Sequence, residues 1–124
     1  MTNFLYVALG GGLGAGARYV MVNAVHRYTG SSFPYGTLVV NVVGCLLIGI
    51  LMGMFEDRFL VNPGLRLFLT VGILGGFTTF STFSYETMML FSDGEFWNGG
   101  LNIILSLFFC LGATYLGLTF GKLI

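Results

Sequence analysis

The thirteen residues Gly72-Ile-Leu-Gly-Gly-Phe-Thr-Thr-Phe-Ser-Thr-Phe-Ser84 hold three glycines and five hydroxyl side chains inside an uncharged stretch. Gly75-Gly76 lowers helix propensity, and the hydroxyl residues that follow compete for backbone hydrogen bonds. The pattern predicts a helix interrupted at 75–80, with backbone carbonyls set free. Such carbonyls are natural cation ligands when they lie at membrane depth. The alternative is a continuous helix whose hydroxyls bond back to the preceding turn. Phe80 and Phe83 are three residues apart and share a face. Their ring edges carry the positive part of the aromatic quadrupole and can meet an anion if polar groups complete its shell. With thirteen Phe in the chain, ordinary packing is the competing reading.

Polar groups that could complete the shell recur at helical spacing. Thr37 precedes Asn41 by one turn, and Asn102, Ser106, Cys110 and Thr114 follow one another at four-residue steps. An amide in hydrocarbon needs partners. Asn41 alone would read as interhelical glue, worth about 0.6–2 kcal/mol. Beside a hydroxyl row and an interrupted span, the arrangement favours an ion path. Glu86, just past Ser84, is the one carboxylate that could face a vestibule. Arg18 either snorkels to the interface or draws anions to a pore mouth. His26 sits beside Arg27 and Tyr28 and is given no role. Cys45 and Cys110 lie deep in apolar runs and read as small packing residues, because two thiols and one His are too few for a disulfide framework or a zinc site.

These residues need elements that hold them in a membrane. Of the 124 residues 56% are hydrophobic and 8% charged, with a mean hydropathy of +0.90, against about 25% charged in soluble domains. One domain fits the length. Five basic and five acidic residues leave no basic field for nucleic acid, and the composition excludes disorder. The first seventeen residues contain no Lys or Arg, so a cleaved secretory signal is not expected.

No charge falls within 28–55, 67–85 or 96–121, and each run reaches the roughly 18–20 residues that span hydrocarbon. A fourth run is interrupted only by Arg18. The chain therefore reads as an all-α, multi-pass membrane protein of four transmembrane helices, at about 4–26, 34–55, 64–91 (interrupted near 75–80) and 96–121. Loops with Thr29-Gly-Ser-Ser32, the charged stretch 56–63 and Ser92-Asp-Gly-Glu95 separate them. Asn62-Pro63 reads as an N-cap with proline in the first turn, and Tyr35 and Trp97 as interfacial aromatics. With the N-terminus inside, Arg58, Arg66 and Lys122 face Arg27 and Arg18 across the membrane. That bias is weak, and it leaves open both a fixed orientation and copies inserted both ways that pair antiparallel.

Glycines recur at four-residue spacing in every span: Gly10 with Gly14, Gly12 with Gly16, Gly49 with Gly53, Gly72 with Gly76, Gly117 with Gly121. Small residues admit close backbone approach where lipid supplies no hydrophobic drive between helices. Gly10, Gly12 and Ala15 are not a dinucleotide fingerprint, since no strand precedes them.

Three segments carry a resemblance: Gly11-Gly-Leu-Gly-Ala-Gly-Ala-Arg-Tyr19, Gly36-Thr-Leu-Val-Val-Asn-Val-Val-Gly44, and the run from Gly72 to Ser84 followed by Glu86. In this order and spacing they resemble the Fluc (CrcB) fluoride channels over the whole chain. The resemblance implies a passive, fluoride-specific channel, not an enzyme, in the bacterial inner membrane. It lets fluoride leave the cytoplasm and so relieves its toxicity. It also implies an antiparallel dual-topology homodimer with two pores and one structural Na⁺ at its centre. By resemblance the Na⁺ ligands are the carbonyls of Gly75 and Thr78, Asn41 donates its amide to fluoride, and Phe80 and Phe83 present ring edges. Thr37, Ser81, Thr82, Ser84, Glu86 and Ser106 are candidates for the polar path. The fourth helix departs from the family's usual Tyr and hydroxyl row with Asn102, Ser106 and Cys110. The alternatives are a proton-coupled small four-helix exporter and a non-transporting assembly subunit. The near absence of carboxylates within the spans opposes the first of these, and the polar row opposes the second.

Overall fold

The computed structural model describes residues 1–30, 32–57 and 62–124. The expectations placed on Ser31 and Arg58 lie outside them. Four stretches, Thr2–Thr29, Tyr35–Glu56, Pro63–Ser92 and Phe96–Leu123, are helical, long and apolar enough to cross a membrane. The first is α1 (Thr2–Thr29), ended by Gly30 at φ 55°, where a left-handed residue closes the last turn through its N–H to the His26 carbonyl. The second is α2 (Tyr35–Asp57). The third is composite. It opens with α3 (Pro63–Leu67), whose Asn62 cap accepts from the Gly64 N–H at 2.7 Å. A π-helical segment, Phe68–Leu74, follows, then the short α4 (Gly75–Phe77). Thr78 (φ −86°, ψ 158°) and Thr79 (φ −150°, ψ 117°) are extended, and α5 (Phe80–Ser92) begins after them. The fourth stretch is α6 (Phe96–Leu123).

Glycine decides which helices touch. A Cβ on Gly49 would stand 2.5 Å from the Thr114 carbonyl oxygen, and one on Gly53 2.6 Å from that of Leu118. Gly117 and Gly121 meet the backbone of Leu46 and Ile50 in return. The register rises together on both helices, so α2 and α6 run parallel with their backbones nearly in contact. In the same way Gly10 and Gly14 admit the backbone of Phe68 to Phe77, and Gly76 sits on Gly11. Gly12 and Gly16 differ: a Cβ at either would meet nothing within 4 Å, so the close contact expected of that pair is not made within the protomer.

The third span changes neighbours along its length. Up to Phe77 it packs on α1; from Phe80 onward it packs on α6. Thr87 against Asn102, and Phe91 against Gly99, make that second packing antiparallel. The extended pair Thr78–Thr79 stands where the chain passes from one neighbour to the other. Inside, Phe33, Val40, Leu74, Phe77 and Leu90 form a small core. Large apolar side chains such as Phe4, Leu13, Phe108 and Leu116 face outward, as a surface bathed in hydrocarbon requires.

Candidate functional site

Leaving the helix at Thr78 and Thr79 exposes backbone polar groups in the middle of a span. Each one left unsatisfied in hydrocarbon costs several kcal/mol. Asn41 meets two of them. Its Nδ2 donates to the Thr79 carbonyl at 3.0 Å, and its Oδ1 accepts from the Thr79 N–H at 2.8 Å. One carboxamide thus pairs with one residue's main chain, as a neighbouring strand would. The Thr79 hydroxyl then caps α5: it accepts from the Thr82 N–H at 3.2 Å and donates to Thr82 Oγ1 at 3.1 Å, with Ser81 Oγ at 3.3 Å.

These substitutions have a consequence four residues upstream. In an unbroken helix the Thr79 N–H would serve the Gly75 carbonyl and the Thr82 N–H that of Thr78. Here they serve Asn41 and Thr79 Oγ1 instead, and no other hydrogen bond to either carbonyl is present among the described residues. Gly75 is exposed on the protomer and Thr78 half-buried. Two unpaired, uncharged oxygens near the surface are a donor set suited to a hard monovalent cation, so the residues fit the Na⁺ that the resemblance implies.

Beside this pair lies a cavity of 370 Å³ between α2, the third span and α6. It brings together six of the residues singled out from sequence: Asn41, Gly75, Thr78, Phe80, Phe83 and Ser106. The Phe80 and Phe83 rings are 5.4 Å apart between centroids and tilted by 47°. Phe80 is 74% exposed and Phe83 half-buried. Asn41 has a second N–H that its bonds to Thr79 do not use. Among the described residues no carboxylate, Lys, Arg or His lines the cavity.

The other candidates fall outside it. Ser81, Thr82 and Ser84 are exposed on α5. Thr37 is 2% exposed, and its hydroxyl has no hydrogen-bond partner among the described residues; the same holds for Oε1 of the half-buried Glu86. Arg18 is half-buried on α1 with no ion pair among the described residues. The polar row of α6 does point inward. Asn102 donates to Thr87 Oγ1 at 2.9 Å, Thr87 donates to the Phe83 carbonyl at 2.7 Å, and Ser106 reaches Asn102 Oδ1 at 3.5 Å.

Sequence reasoning missed Thr79 and Thr87 as individual actors and the π-helical segment altogether. Thr79 carried a signal, a hydroxyl residue three before Thr82, which is N-cap spacing. Thr87 lies one turn past Phe83. For the π-helical segment the sequence offers no comparable mark.

A family model described as CrcB-like protein, Camphor Resistance (CrcB), matches residues 5–118. The chain belongs to the CrcB family. It is 48% identical over 118 residues to a protein of Geobacter sulfurreducens, with 95% of each chain covered. A Magnetococcus marinus relative is 48% identical over 119 residues, covering 96% of this chain and 97% of its own. A Geotalea daltonii relative is 43% identical over 124 residues, with both chains covered in full. All three CrcB relatives bear the name fluoride-specific ion channel FluC.

Proposed function

We infer that this chain is a fluoride-specific ion channel of the inner membrane that lets fluoride leave the cytoplasm passively, and that it catalyses no reaction. Membership of the CrcB family and the names of its relatives support the class. The observation that carries the mechanism is the cavity lining: an amide with a spare N–H, two phenylalanine rings and a hydroxyl, with no fixed charge of either sign. Fluoride is small and strongly hydrated. A pore for it must replace water with several weak donors and hold the ion loosely enough to release it. Asn41 offers the strongest donor, the Phe80 and Phe83 edges offer weak ones, and Ser106 offers a hydroxyl on the facing helix. Thr37, Ser81, Thr82, Ser84 and Glu86 continue the polar path beyond the cavity, and Arg18 raises the local anion concentration at a mouth.

The extended pair Thr78–Thr79 is, in this reading, the break in the third span, and the working unit is an antiparallel dual-topology homodimer. The Gly75 and Thr78 carbonyls of both subunits hold one Na⁺. Its charge offsets part of the cost of bringing an anion into low dielectric. A proton-coupled exporter would need a carboxylate in the cavity, and Glu86 lies outside it.

The test is fluoride efflux from liposomes bearing the wild-type chain, Phe80→Ile or Phe83→Ile. Both variants keep an apolar side chain and lose the ring edge, so both should conduct more slowly with the dimer intact on gel filtration. Wild-type rates in both would return the two rings to packing.

A further inference from the structure

The two cysteines line the same cavity, one on α2 and the other on α6. Their meeting follows from the packing of those helices. Gly49 and Gly117 bring the backbones together, and Thr114 Oγ1 donates to the Cys45 carbonyl at 3.3 Å. Thr114 stands level with Cys45, and Cys110 lies one turn before Thr114 on the same face of α6, so the two cysteines are offset by about one helical turn along facing helices and line one cavity. Both thiols are free and half-buried.

We propose that Cys45 and Cys110 form a two-coordinate site for a soft, thiophilic divalent cation, of which Hg²⁺ is the working example. Thiolates select soft metals. Zinc wants four ligands, and no cluster of three or more His, Cys, Asp or Glu occurs among the described residues. A hard divalent cation such as Ca²⁺ takes six or more oxygens with carboxylates among them, and no carboxylate among the described residues lines the cavity. A soft divalent ion that accepts two sulfurs in a line needs nothing further.

Charge balance points the same way. Each thiol gives its proton to solvent, two S–metal bonds form, and two thiolates cancel the two positive charges. The product is neutral, which suits a cavity whose remaining walls include Ile48, Leu74 and Leu107. Bound there, the ion staples α2 to α6. The assignment does not depend on which ion crosses the membrane.

The experiment uses the full chain, reduced and purified in detergent, titrated with HgCl₂ alone. The expected result has three parts. Intact mass gives one chain plus one mercury less two protons. Maleimide labelling is lost from both thiols together at one equivalent. Mercury survives a wash with a monothiol in the wild type and is stripped from Cys45→Ser and from Cys110→Ser. Two mercury ions per chain, a mercury bridging two chains, thiols lost one at a time, or equal retention in a single Ser variant would each overturn the site.

Discussion

Asn41 ties α2 to the third span through two hydrogen bonds to Thr79 and keeps one N–H for the cavity. Glue and ion donor, which the sequence posed as alternatives, are compatible in one side chain, because a carboxamide has two N–H donors and Thr79 uses one. Asn41→Asp separates them from an inert side chain. An ionised carboxylate cannot donate to the Thr79 carbonyl, sets a negative charge against it, and repels an anion in the cavity. The variant should lose fluoride flux altogether and unfold more easily by about 1–3 kcal/mol, the usual cost of leaving a buried polar group unsatisfied. Flux and denaturation midpoint both at wild-type values would remove Asn41 from either role. Phe80 poses a different case. Its 74% exposure in one protomer leaves it free to meet whatever covers that face.

At the scale of elements, glycine sets the distances. The α2–α6 pair is the clearest, since the backbone of each helix fills the place where a Cβ on the other would stand. Gly49→Ala should push the helices apart and cost about 1–3 kcal/mol, the range for overpacking a core. Gly100→Ala, at a position where a Cβ meets nothing within 4 Å, should gain up to about 1 kcal/mol from helix propensity. Thermal denaturation in one detergent compares them, and equal midpoints would contradict the packing described. Three spans were legible from charge-free lengths and the fourth from an apolar length interrupted only by Arg18, because hydrocarbon thickness imposes a length that composition reports. The Asn62 cap was legible because its chemistry is local. The π-helical segment was not, since Phe68–Leu74 reads in sequence like any apolar helical stretch. Nor could the sequence say that Gly12 and Gly16 face outward when Gly10 and Gly14 do not; four-residue spacing fixes a shared face without fixing what that face meets. The hydroxyl-rich run marked 75–80 as poorly helical. The extended residues are Thr78 and Thr79, and the main chain of Thr79 is paired by Asn41, 38 residues away in the sequence.

For the whole molecule the question is what covers the exposed side of the third span. Gly75 is open: a Cβ there would meet only the Thr70 carbonyl oxygen, at an ordinary 3.7 Å. Gly75→Leu should therefore leave the protomer fold intact, while blocking the second subunit and the cation of the homodimer proposed above. Helical content should stay at the wild-type level on circular dichroism, the dimer should be lost on gel filtration, and flux should fall with it. A Gly75→Leu dimer of wild-type stability would argue against pairing through these carbonyls. Passive, fluoride-specific conduction is read directly as ion efflux from liposomes loaded with equal fluoride and chloride, the membrane potential clamped and no pH gradient imposed. Fluoride should leave rapidly and chloride should stay behind. Fluoride leaving no faster than chloride, or leaving only when a pH gradient is imposed, would exclude passive, fluoride-specific conduction.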